Sequence, residues 1–171
     1  MKNAKKVLAL VAIFFGFASF VFATDPVIGY WVSYDDESGK AEAGWQIWEQ
    51  NGKLYGKIVS LIGKSKDEKA TGAKGRGPYE GFPQAGKLED MTVIGTTWIY
   101  DLQKKSEGNW EKGFIVDPKN GKRYKCKIVF HKADGNKYKK DTLQMRGEIG
   151  AGIGRNQWWL ASTEAEAMAL K

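Results

Sequence analysis

The chain carries one cysteine and one histidine in 171 residues, and those two scarcities exclude much chemistry. A lone Cys126 rules out an internal disulfide. A lone His131, with no second histidine or cysteine beside it, leaves zinc and copper without their usual donor sets. Glu107, Glu111, Asp117, Asp134 and Asp141 fall in or beside turn signals, not at the fixed close intervals of a calcium loop. No nucleophile–base pair stands out, so the expectation is a protein that is not an enzyme and needs no metal or cofactor. Arginines do not cluster, which argues against a nucleic-acid partner. Gly75-Arg76-Gly77 lacks the strand and helix that flank a phosphate-binding loop and reads as a flexible link.

What is present begins with an export signal. Lys2, Lys5 and Lys6 precede an uncharged apolar run from Val7 to Phe22, and Val21-Phe22-Ala23 ends it with small or β-branched residues. That is the order of a cleavable secretory leader over residues 1–23. A spanning helix needs about 20 apolar residues, and this run is shorter and interrupted by Gly16 and Ser19. Cleavage before Thr24 would leave one domain over residues 24–171, soluble and periplasmic or secreted. Its net charge falls from +7 to +4, because three lysines and no acid leave with the leader. A mildly basic exported protein could meet anionic lipid head groups or cell-wall polymers, but at so small a charge a solvated lysine-rich surface is the preferred reading.

The mature segment is punctuated by turn signals, Asn51-Gly52 being the strongest. Between them lie strands expected at 29–34, 43–50, 53–62, 92–101, 110–117, 122–131, 141–149 and 155–161. A two-residue loop at Asn51-Gly52 places Trp45 opposite Ile58 and Ile47 opposite Gly56. One face then collects Trp45, Ile47, Leu54, Gly56 and Ile58, and the other the polar residues with Trp48 and Tyr55 as an outward aromatic pair. Tyr124, Cys126, Ile128 and Phe130 alternate with charged neighbours, as do Leu143, Met145, Gly147 and Ile149. A flat meander would expose two edges. Closure removes them, so the expected fold is all-β, an eight-stranded antiparallel up-and-down barrel. On that parity His131 faces outward and Cys126 is buried and inert. Asp117-Pro118 with Asn120-Gly121 reads as turn chemistry.

Gly29-Tyr30-Trp31 at the first strand resembles the opening motif of the lipocalins and the wider calycin barrels. In that group the tryptophan closes one barrel end and stacks on an arginine near the last strand. The resemblance therefore implies closure by Gly29, Trp31 and Arg155. A longer resemblance is carried by Gly29-Tyr30-Trp31, Leu54 to Val59, Gly113 to Tyr124, and Leu143 to Gly147 continuing to Gly154-Arg155 and the tryptophans. It is similar to a family of secreted bacterial proteins known as domain of unknown function 2147, and it implies a lipocalin-like barrel in the periplasm without implying an activity. The stretch Lys64 to Glu80 departs from the family, lacking its Asn-Pro and its cysteine.

The leading expectation is a carrier that binds a small, largely apolar molecule inside the barrel. Its candidate contacts are Trp45, Ile47, Ile58, Ile115, Tyr124, Ile128, Phe130, Leu143 and Met145. The alternative is a solid-cored envelope module that binds a protein or polymer through its outer surface or long loop. The link 63–91 is too long for a bare connection and is expected to form a lid or side wall at the barrel mouth. Tyr79 and Phe82, held between prolines, either cover the opening or pin the link to the outside.

Overall fold

Alternating strands dominate the structure, a computed structural model that describes residues 24–35, 37–150 and 152–170. The leader expected over residues 1–23 lies outside the described residues. Eight strands run in chain order: β1 (Gly29–Tyr34), β2 (Ala41–Gln50), β3 (Lys53–Leu61), β4 (Thr97–Ser106), β5 (Asn109–Val116), β6 (Arg123–His131), β7 (Thr142–Gly150) and β8 (Ile153–Ser162). Each pairs antiparallel with its chain neighbours, and β1 pairs with β8 to close the barrel. This is the lipocalin-like architecture expected above.

The first hairpin has the expected register, with Trp45 opposite Ile58, Ile47 opposite Gly56 and Glu49 opposite Leu54. Asn51 and Gly52 turn it with φ of 54° and 74°, the left-handed pair that matches strand twist. Trp48 and Tyr55 stack outside, their centroids 5.9 Å apart.

β4 corrects the sequence reading. It begins five residues later than expected, at Thr97, and continues to Ser106, so the turn shrinks to Glu107-Gly108. Two β-bulges break the alternation on either side of that turn. β4 inserts an extra residue against β3 between Ile99 and Leu102, and β5 inserts one against β6 between Trp110 and Gly113. Asp101 and Lys112, at φ of 63° and 61°, occupy these insertions. Each bulge puts two successive residues outside, so strict alternation fails where it was being read. A short helix, α1 (Glu164–Met168), also lay beyond the strand pattern. Thr163 and Glu166 form its capping box, and it packs on the outer wall where Gly44 leaves no room for a side chain and Ser60 donates to the Ala167 carbonyl.

The link between β3 and β4 makes a second layer. Phe82 packs on Trp98 and edge-on to Tyr100, at centroid distances of 6.1 and 5.4 Å, and the Trp98 indole donates to the Val93 carbonyl at 2.7 Å. Thr97 to Tyr100 are consequently buried on both faces, with barrel on one side and link on the other. Elsewhere the outer wall carries charge: Arg123, Lys125 and Lys127 on β6, Arg146 and Glu148 on β7. A lipid-facing barrel wall would be apolar at those positions.

Candidate functional site

The barrel interior divides at its waist. At the end bearing the β2–β3 and β4–β5 turns, side chains fill it. Ile47, Leu54, Leu102, Trp110, Ile128 and Leu143 are all buried there. Trp31 meets Phe130 edge-on at 6.3 Å and donates its indole N–H to the Val27 carbonyl at 3.0 Å. The segment before β1 crosses this end as a plug. Asp25, only 5% exposed, accepts from the backbone N–H of Val27 and Gly108 and pairs with Lys104 at 2.9 Å. The Lys104 ammonium also lies over the Trp110 ring, 5.6 Å from its centroid. Burial alone would raise the Asp25 carboxyl. The Lys104 ammonium, the two amides and the nearby Trp110 indole together outweigh it and hold the carboxyl below its ordinary 3.8.

At the other end the barrel is hollow. A cavity of about 770 Å³ opens among the loops that join β1 to β2, β3 to β4, β5 to β6 and β7 to β8. That lies within the usual range for small-molecule sites. Trp45 stacks on the buried Trp159, centroids 4.6 Å apart and planes at 18°, and closes its floor. Ile58, Ile115, Tyr124, Met145 and Gly147 line its walls. The polar groups inside are few: Ser33, whose hydroxyl accepts from the Trp45 indole at 3.3 Å, and Gln157, whose amide oxygen accepts from the Trp159 indole at 3.2 Å.

Charge is confined to the rim. Lys119 pairs with Glu42 at 2.6 Å, and that carboxylate holds the ammonium's pKa above its ordinary value. Lys64 pairs with Glu68, and Lys69 and Arg155 complete the ring. The link 63–91 contributes its first part to this rim as a side wall. Ala70 donates to the Met91 carbonyl and Val93 to the Glu68 carbonyl, both at 2.9 Å, while Gly72 sits against the Lys119 carbonyl with no space for a Cβ. The Asp117–Gly121 turn opposite it is held by its own bonds: Lys119 N–H to Asp117 at 2.8 Å and Asn120 to Asp117 at 2.7 Å.

Of the residues singled out from the sequence, Trp45, Ile58, Ile115, Tyr124 and Met145 come together around the cavity. Ile47, Ile128, Phe130 and Leu143 share their inward parity but belong to the filled end. Parity tells which face a residue takes and not how far along the barrel the filling stops. Tyr79 and Phe82 do not cover the mouth. Tyr79 donates to the Gly121 carbonyl at 2.7 Å from outside the barrel, and Phe82 lies on Trp98 and Tyr100.

The proposed closure by Arg155 on Trp31 is also corrected. Trp31 is opposite Ala161, and Arg155 is opposite Gly147, six residues along β8 and so about 20 Å away at the mouth. Gly29 and Trp31 do stand at the filled end, closed there by Val27, Phe130 and the Asp25–Lys104 pair. The cavity residues that sequence reasoning missed include Ser33, Gly147 and Gln157. Gly147 was read as facing inward from the alternation of its strand, but a glycine was not read as lining, and Ser33 and Gln157 were not singled out.

The profile of a bacterial family described as "Uncharacterized protein conserved in bacteria (DUF2147)" matches residues 29–160. Among solved structures, the chain is similar to protein HP1028 from Helicobacter pylori, described as belonging to the lipocalin family. The TM-score is 0.62 at 18% identity, over 84% of this chain and 87% of that one. At that identity the likeness concerns the fold. No curated protein sequence matches the chain.

Proposed function

The chain belongs to the DUF2147 family of uncharacterized bacterial proteins, and from that premise and its lipocalin-like barrel we propose that it carries a small, largely apolar molecule in the hollow half of the barrel. The observation that supports this reading is the asymmetry of the interior. One end is filled by buried side chains, while the other keeps a cavity of about 770 Å³ with an aromatic floor and an open mouth. The same asymmetry favours carriage over a solid-cored module. Charges confined to the rim suit a ligand whose body is apolar and whose polar end reaches water. The leader-like pattern of residues 1–23 supports a site of action outside the cytoplasm, in the periplasm or beyond.

Gly147 offers the test. A Cβ there meets Tyr124 and Ile115 at 3.5 and 3.8 Å, ordinary contact distances, so a larger side chain enters the cavity and not the wall. An apolar fluorescent probe should bind the wild type, and Gly147→Leu should weaken it at least about tenfold while circular dichroism stays unchanged. Absence of probe binding by the wild type, or equal affinities, would overturn the carrier reading. Native mass spectrometry of protein taken from its own envelope should show a retained small molecule.

A further inference from the structure

The β7–β8 hairpin ends at the cavity mouth, and its two isoleucines are left in the open. Ile149 and Ile153 are 69% and 64% exposed, the most exposed large hydrophobic residues among the described residues. Ile62, beside the mouth residue Leu61, is a third, at 41%. Single exposed apolar residues are ordinary, but two on one hairpin tip at the entrance to an apolar cavity form a patch.

Beside that tip lies a second crevice, of about 410 Å³, which Ile149 and Tyr124 share with the cavity. It gathers Arg76, Lys122, Arg123 and Lys125 against one carboxylate, Glu148. Glu148 is already engaged by Arg146 at 2.6 Å and Lys127 at 3.6 Å. None of the four crevice cations forms an ion pair among the described residues, and the one carboxylate they gather around is already taken. Arg123 is held over two rings, 4.7 Å from the Tyr79 centroid and 4.5 Å from that of Phe114. Those rings fix the guanidinium without neutralising it.

We propose that this end of the barrel docks on an anionic phospholipid bilayer, the hairpin isoleucines entering the acyl boundary while Arg76, Arg123 and Lys125 take the phosphates. A bilayer presents negative head groups a few ångströms above apolar chains, and the molecule sets unpaired cations beside exposed isoleucines in the complementary order. Docking stands without a bound ligand. Its consequence rests on the carrier reading: the face that meets lipid is the cavity mouth, so an apolar molecule could pass between bilayer and barrel without crossing water.

Sedimentation with vesicles tests it. The protein without residues 1–23 should sediment with vesicles of mixed phosphatidylcholine and phosphatidylglycerol, not with phosphatidylcholine alone, and should be released by salt. The Ile149→Ser/Ile153→Ser and Arg76→Gln/Lys125→Gln variants should each bind the mixed vesicles about tenfold more weakly, with circular dichroism confirming the fold. Failure of the wild type to sediment with the mixed vesicles overturns docking. So does equal binding by the isoleucine variant, or release by millimolar inorganic phosphate, which would assign the crevice to a free anion. Probe affinity without vesicles, measured on the wild type and Arg76→Gln/Lys125→Gln, reads the carrier function separately. Absence of probe binding by the wild type, alongside its intact vesicle binding, would sink carriage and leave docking standing, while the variant should keep the wild-type probe affinity.

Discussion

The two ends of this barrel are built from the same strands and the same inward alternation, yet one is a core and the other a container. At the filled end, inward positions hold Trp31, Trp110, Phe130, Leu102 and Leu143, and a preceding segment crosses the opening. At the hollow end they hold Ser33, Gly147 and Gln157, and the chain runs around the opening instead of over it. Stability and the proposed binding are thereby separated along one axis. Residues at the first end hold the fold, while residues at the second can change with less cost to it.

The sharpest way to break that contrast is to truncate one large side chain at each end. Trp31→Ala should cost about 3–5 kcal/mol, since it removes a buried ring and leaves a void between Val27 and Phe130. Met145→Ala, which lines the cavity, should cost less, about 2 kcal/mol. Urea unfolding midpoints read both, and equal losses would mean that the cavity is not there. Removing both Tyr79 and Phe82 should destabilise by about 2–4 kcal/mol, by uncovering Trp98 and Tyr100. It should leave probe affinity intact, because neither residue reaches the cavity.

Asp25→Ala should cost about 1–3 kcal/mol, leaving the Val27 and Gly108 amides without their acceptor. The pH dependence follows from the depressed carboxyl. Its contribution is fully present above the ordinary 3.8 and is lost as pH falls through the lower folded value. In acid titration the wild type should therefore lose more stability below pH 3.8 than Asp25→Asn does.

Glycine substitutions sharpen the same contrast. Gly113→Ala at the filled end drives a Cβ against the Leu102 backbone and side chain and should cost about 1–3 kcal/mol. Gly147→Ala, at ordinary contact distances, should change stability by less than about 0.5 kcal/mol. The smallest effect expected is at Cys126. Burial pushes its thiol pKa far up, so a thiol reagent should leave the native protein unlabelled and react only on unfolding.

Much of this was legible residue by residue. Asn51-Gly52 announced its hairpin, and the alternation through Tyr124, Cys126, Ile128 and Phe130 announced an inward face, because both signals are local and repeat every two residues. β4 was read as ending at 101 because Asp101 interrupts that period with one extra residue, and nothing local marks a bulge at an aspartate. Tyr79 and Phe82 needed something to pack on, which their sequence made plain, but the outward faces of Trp98 and Tyr100 become a surface only once β4 is in the wall.

Sequence alone determined strand period, chain-neighbour pairing and the inward set, since these depend on backbone geometry and on the partition of apolar side chains from water. Tertiary structure decided where along the axis the filling stops, and therefore which inward residues line a cavity. Trp45 and Trp159, far apart in the chain, meet ring to ring across the waist to make that floor. Arg155, assigned to the same end as Trp31 by order in the chain, was placed at the mouth by register. Register and volume are properties of all eight strands closed together, and no segment carries them by itself.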